Sequence, residues 1–144
     1  MRLFAGALLA VIFLAACGPA SSTSPSAPTS PSPSAPAVAM DPDALVAAAA
    51  ANDGQVVRVK GFLLVTDVGA TMCSVVLESY PPQCGGGALR ITGEVPADVA
   101  AGLDKTSEPG LAQASWGWVE VVGAFDAASG PPTVAISEVR LAAP

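Results

Sequence analysis

Three observations predict a small, mainly β domain of five strands, with one or two short helices and one disulfide. Five runs rich in Val, Ile, Leu, Phe and Trp recur between residues 55 and 141, separated by clusters of Gly, Pro, Asn and Asp. Residues 41–51 combine a helix-starting signal with a good helix-forming composition. Cys73 and Cys84 form an even pair in a chain that otherwise reads as exported.

Asp41-Pro42-Asp43 precede an alanine-rich run to Ala51 and place a proline at the first helical position. Asn52-Asp53-Gly54 ends that helix, Gly54 supplying the left-handed conformation. Residues 55–65 (QVVRVKGFLLV) are a long strand with Val57 and Val59 on one face and Arg58 and Lys60 on the other. Beyond Gly61 the apolar pattern becomes continuous, and a glycine at such a change predicts a bulge or a sharp bend. Residues 72–77 and 88–92 are the second and third strands. A short helix over residues 95–103 starts at Pro96 and stops near Gly102. Residues 116–125 and 133–141 complete the set. Together residues 41–144 make one domain of roughly 100 residues, near the commonest domain size.

Five strands, a bent first strand and a helix between the third and fourth resemble a small OB-fold barrel. The likeness rests on VVRVKGFLL (56–64) and VEVVGAF (119–125), each with a glycine where a barrel must curve. It implies an OB-like barrel over most of residues 55–141. OB domains often bind oligonucleotides or sugars on the face of strands two and three, but fold does not imply function. The stretch Ser79-Tyr80-Pro81-Pro82-Gln83-Cys84-Gly85-Gly86 is similar to a loop in lipoproteins of GC-rich bacteria, from which no activity follows.

The amino terminus predicts an address. Arg2 precedes an uncharged segment of 12 residues, Leu3 to Leu14, followed by small Ala15 and Ala16 and then Cys17. Crossing a bilayer takes about 20 apolar residues, so the segment fits a secretory signal, residues 1–16, better than a permanent anchor. Cleavage by a general secretory peptidase would leave Cys17 an ordinary thiol. Leu14-Ala15-Ala16-Cys17, however, resembles the lipobox of bacterial lipoproteins. That resemblance implies lipid on the Cys17 thiol, a membrane anchor through that lipid, and an extracytoplasmic location. Two acyl chains anchor stably where one gives only marginal binding. Residues 17–40 then read as the lipidated cysteine and a disordered Ser/Pro-rich tether, because such a stretch lacks the apolar surface to offset ordering.

Charge and composition exclude several function classes. Loss of Arg2 leaves five basic side chains against 12 acidic ones, a net charge of −7. Such a surface repels nucleic acid phosphates, so no nucleic acid partner is expected. The chain has no histidine, which rules out His-based triads, imidazole zinc sites and His general bases. Neither Lys60 nor Lys105 pairs with a serine in a recognisable spacing, and Asp67 and Glu78 read as solvent-facing carboxylates flanking a hairpin. No calcium loop is present, and Gly85-Gly86-Gly87 lacks the Lys-Ser/Thr of a phosphate cradle, so these glycines read as flexible loop. No cofactor and no metal are expected. Cys73 and Cys84 have neither C-x-x-C spacing nor a histidine to lower a thiol pKa, which favours a structural staple over a redox pair.

Binding is easier to place than catalysis. Trp116 and Trp118 alternate with Val119 and Val121, so a core-facing valine face leaves both indoles outside or at the rim. With Tyr80 they make a candidate binding patch for a peptide or sugar, since amphipathic aromatics are enriched at interfaces. The alternative is that one indole caps the barrel end and the other covers the 104–114 loop. Three functions stay open at this point. The favoured one is a tethered module that binds an envelope protein or polymer without catalysis; the others are a structural accessory subunit docking on a larger membrane complex, and an enzyme.

Overall fold

The computed structural model describes residues 38–144, so the expected signal peptide, Cys17 and most of the tether lie outside the described residues. Met40 is already part of the sheet, bridging in parallel to Val59 through Met40 N–H to the Arg58 carbonyl (2.9 Å) and Lys60 N–H to the Met40 carbonyl (2.8 Å).

The fold is mainly β. Helix α1 (Pro42–Ala47) opens with Pro42 in its first turn, and the Asp41 carboxylate accepts from Ala44 N–H at 2.7 Å. The single helix expected to Ala51 is instead broken at Ala48 (φ −101°, ψ 22°), and α2 (Ala49–Asn52) follows as a separate turn. Gly54 takes φ +71° as expected.

Six strands follow: β1 (Val56–Thr66), β2 (Gly69–Leu77), β3 (Gln83–Thr92), β4 (Asp104–Lys105), β5 (Ala114–Asp126) and β6 (Thr133–Leu141). Helix α3 (Ala97–Ala101) lies between β3 and β4. Five strands close a ring in the order β1-β2-β3-β6-β5 and back to β1, while β4, which the sequence reading lacked, adds to β5. All pairings in the ring are antiparallel except β3 with β6.

β1 and β5 pair without a break from Val56↔Ala124 to Thr66↔Ala114, so no bulge interrupts this ladder at Gly61. Gly61 serves a different need. A Cβ there would stand 2.8 Å from Pro42 Cγ and 2.9 Å from Met72 Cγ, so the missing side chain lets α1 and β2 close on β1. At Gly123 the ladder with β6 does shift register.

The glycine triplet corrects the flexible-loop expectation. Gly85, Gly86 and Gly87 are inside β3, where two residues oppose one on β2 between Cys73 and Val75. Gly86, at φ +73°, supplies the left-handed residue that such a bulge demands. Gly87 N–H donates to the Asp43 carboxylate at 2.6 Å, and Asp43 N–H donates to Ser74 Oγ at 3.1 Å. These contacts seat the start of α1 on the β2–β3 pair.

The core fills the ring. Val57, Val59, Leu63, Met72, Leu89, Val119, Val121 and Phe125 are buried there with Leu45 of α1, Val99 of α3 and Leu103. Each such side chain contributes about 1.5–3 kcal/mol relative to exposure. The Cys73–Cys84 disulfide forms, with Cα atoms 5.6 Å apart. Among the described residues no helix is long and apolar enough to cross a membrane.

Candidate functional site

The outer face of β1 and β5 carries the aromatic residues singled out from sequence. Val119 and Val121 point into the core, so Trp116, Trp118 and Glu120 take the opposite face. Register places Trp118 beside Phe62, and Trp116 between Leu64 of β1 and Asp104 of β4.

Each indole meets one other ring edge-on. Trp118 packs on Phe62 with centroids 6.0 Å apart and planes at 74°. Phe62 is only 6% exposed although it lies on the outer face, and Cys73, its register partner on β2, is fully buried. Trp118 and Cys73 therefore flank Phe62 on either side and give the ring a second, small apolar layer outside the core.

Trp116 meets Tyr80 with centroids 5.9 Å apart and planes at 87°. Tyr80 sits in the turn between β2 and β3, inside the loop that Cys73 and Cys84 close. Its hydroxyl lies 3.1 Å from Ser107 Oγ and accepts from Ser107 N–H at 3.2 Å. The segment holding Ser107 is pinned in turn by Thr106, whose hydroxyl donates to the Ala112 carbonyl (3.1 Å) and accepts from Ala114 N–H (3.0 Å). Tyr80 thus stands on Trp116 with both ends held, yet remains 48% exposed. Structure brings Tyr80 and Trp116 into contact and keeps Trp118 two residues along the same face.

Further along this face lies an ion cluster that the sequence reading missed. Glu120 accepts from Arg58 and, at 2.6 Å, from Arg140. Burial pushes the Glu120 carboxyl up, but the hydrogen bonds from Arg58 and Arg140 and their charges outweigh it, leaving a net lowering from 4.5. The direct register partner of Glu120 on β1 is Lys60, so the Arg58 contact is diagonal and not readable from alternation alone.

Among the cavities formed by the described residues are two that Tyr80, Trp116 and Trp118 do not line. One, of about 330 Å³, lies where the end of β1 meets β4 and the start of β5. The other, of about 470 Å³, lies over β2 and β3 beside the register pair Thr71↔Arg90. Among the described residues no three His, Cys, Asp or Glu side chains converge as metal ligands.

Comparison with protein-family models, curated proteins and solved structures finds no match for this chain.

Proposed function

We propose that the chain is a lipid-anchored, extracytoplasmic lipoprotein whose domain binds an envelope protein or polymer without catalysis, through the face carrying Tyr80, Trp116 and Trp118. One observation carries this reading: Tyr80 is half exposed yet held by Ser107 and by the ring of Trp116. An aromatic side chain already ordered loses little freedom on association, and this residue type concentrates binding energy. The site is a strand face and not a cavity, which suits an extended or macromolecular partner better than a small molecule.

The five-stranded ring is proposed to be an OB-like barrel. Its strand order, the parallel closure of β3 with β6, and a helix following β3 support that reading. The lipobox-like Leu14-Ala15-Ala16-Cys17 supports the anchor. A structural accessory subunit would use the same face, differing in that its partner is a permanent membrane complex.

The test pairs two variants. Cys17→Ala is expected to abolish lipid labelling and release the protein from membranes; unchanged attachment overturns the anchor. Trp116→Ala is expected to lose crosslinking to envelope material while the melting temperature stays close to that of the parent chain. Crosslinking unchanged by Trp116→Ala and by Tyr80→Ala overturns the binding face.

A further inference from the structure

We infer that the partner of the Tyr80–Trp116 face is an extended protein segment bearing arginine, with a guanidinium lying on the exposed ring of Tyr80. This names the partner chemistry for the function proposed above and rests on that reading.

Charge divides the outer face into two unlike ends. At one end stand three cations, Arg58, Lys60 and Arg140, with Glu120 and Glu138. Arg58 and Arg140 donate to Glu120, Lys60 is its register partner, and Glu138 lies two residues before Arg140. At the other end the charges next to Tyr80 and Trp116 are carboxylates. Glu78 lies two residues before Tyr80, and Glu108 follows Ser107, which holds the Tyr80 hydroxyl. Asp104 is the register partner of Trp116 on β4. Residues 78–82 and 106–113 contain no basic side chain. Lys105 pairs with Ser115, so alternation puts it on the other side of β4 from Asp104. Glu78, Asp104 and Glu108 are exposed, and among the described residues none of them has an ion pair or a side-chain hydrogen bond.

The rings decide which cation fits. Tyr80 meets Trp116 edge-on and accepts a hydrogen bond from Ser107 N–H, so its ring is fixed while 48% exposed. A cation over an aromatic face is drawn to the negative side of the ring quadrupole, and arginine takes that place more often than lysine. A planar guanidinium also meets a carboxylate through two parallel N–H groups, which an ammonium cannot do. Tyr80 with Glu78 beside it in the same turn thus suits arginine on both counts. A neutral glycan would stack on the ring but carries no charge to match three carboxylates, and an acidic one would be repelled. The surface is a strand face flanked by two loops, which an extended segment can follow.

The probe is tetra-arginine with acetylated and amidated ends, titrated into the isotope-labelled full chain in detergent while backbone amide and indole shifts are followed. Saturable shifts are expected at Tyr80, Ser107 and Trp116, weakening as salt is raised. Tyr80→Leu is expected to weaken binding about two- to fivefold, the size of an exposed cation–π contact. Replacing Glu78 and Glu108 by Gln and Asp104 by Asn together is expected to weaken it at least about fivefold. Tetralysine with the same ends is expected to bind more weakly at the same residues. Shifts spread over the acidic residues of the whole domain, equal binding of tetralysine, or no effect of Tyr80→Leu would reduce the attraction to bare charge and overturn the inference. Maltotetraose binding more tightly at these residues would make the face a glycan site and overturn it too. The peptide and sugar comparisons need no variant, so they stand even if a substitution disturbs the fold. If they fail while envelope crosslinking still depends on Trp116, the arginine partner falls and the binding face stands; if that dependence is also absent, the face falls with it.

Discussion

The β1–β5 ladder and the outer half of the β2–β3 hairpin are both antiparallel pairs, yet they are held by different means. Along β1–β5 the register never shifts over 11 residues of β1, and Val57, Val59, Leu63, Val119 and Val121 are buried on its inner face. The hairpin beyond Cys73 has a bulge, three glycines in place of side chains, and Val75 and Leu77 at 45% and 48% exposure. Burial holds the first pair together. A covalent bond and the seating of α1 hold the second, where too few side chains are buried to do so. The difference separates scaffold from the part that presents Tyr80.

Truncations of one residue type test this contrast most strongly. Leu63→Ala is expected to cost about 2–5 kcal/mol, because Leu63 is fully buried. Leu77→Ala, at 48% exposure, is expected to stay within about 0.5 kcal/mol. Denaturant titration of both variants reads the gap directly, and equal costs would break the comparison.

Replacing Cys73 and Cys84 together by alanine comes next, at about 3 kcal/mol for a loop of this size. The near-ultraviolet signal of Tyr80 and Trp116 is expected to weaken, while far-ultraviolet strand content persists. Strand loss as large as that in Leu63→Ala would mean that the staple supports the whole ring.

The ion cluster gives a third, smaller effect. Because the Glu120 pKa is lowered in the folded state, its contribution is present above the ordinary value of 4.5 and is lost as pH falls below it. Glu120→Gln is expected to flatten the acid limb of a stability–pH curve and cost about 1–2 kcal/mol at neutral pH, since the amide oxygen still accepts but the negative charge facing two guanidinium groups is lost. An acid limb identical to that of the parent chain would remove Glu120 from the account. Tyr80→Phe should be smaller again than the Glu120 change, within about 0.5–1 kcal/mol, as it removes only exposed hydrogen bonds to Ser107. Its expected mark is faster amide exchange at Ser107.

What was readable in the residues follows the same division. β6 (Thr133–Leu141) matches its expected bounds, and β1 (Val56–Thr66) lies within one residue of them, because alternation and β-branched residues report a half-buried strand. Asp41 and Pro42 marked the start of α1 because a cap is a local interaction. The disulfide was also legible, since with Cys17 expected to carry lipid the two cysteines left allow one pairing. The glycines of β3 misled, because their strand conformation depends on Asp43 and Val75, which approach from elsewhere in the chain. β4 was missed because two residues, Asp104 and Lys105, carry no periodicity. At the candidate site, alternation put Trp116 and Trp118 on one face. It held no sign that Tyr80 would lean on one indole or that Phe62 would lie beneath the other.

The Met40 bridge has a mechanical consequence. Any pull from the amino-terminal side reaches the domain first at two hydrogen bonds on the free edge of β1, ahead of Pro42 lodged over Gly61 and Leu45 in the core. Tension therefore arrives next at β1, the strand that carries the unbroken ladder with β5. A load applied at that end would break those two hydrogen bonds before it met the ladder.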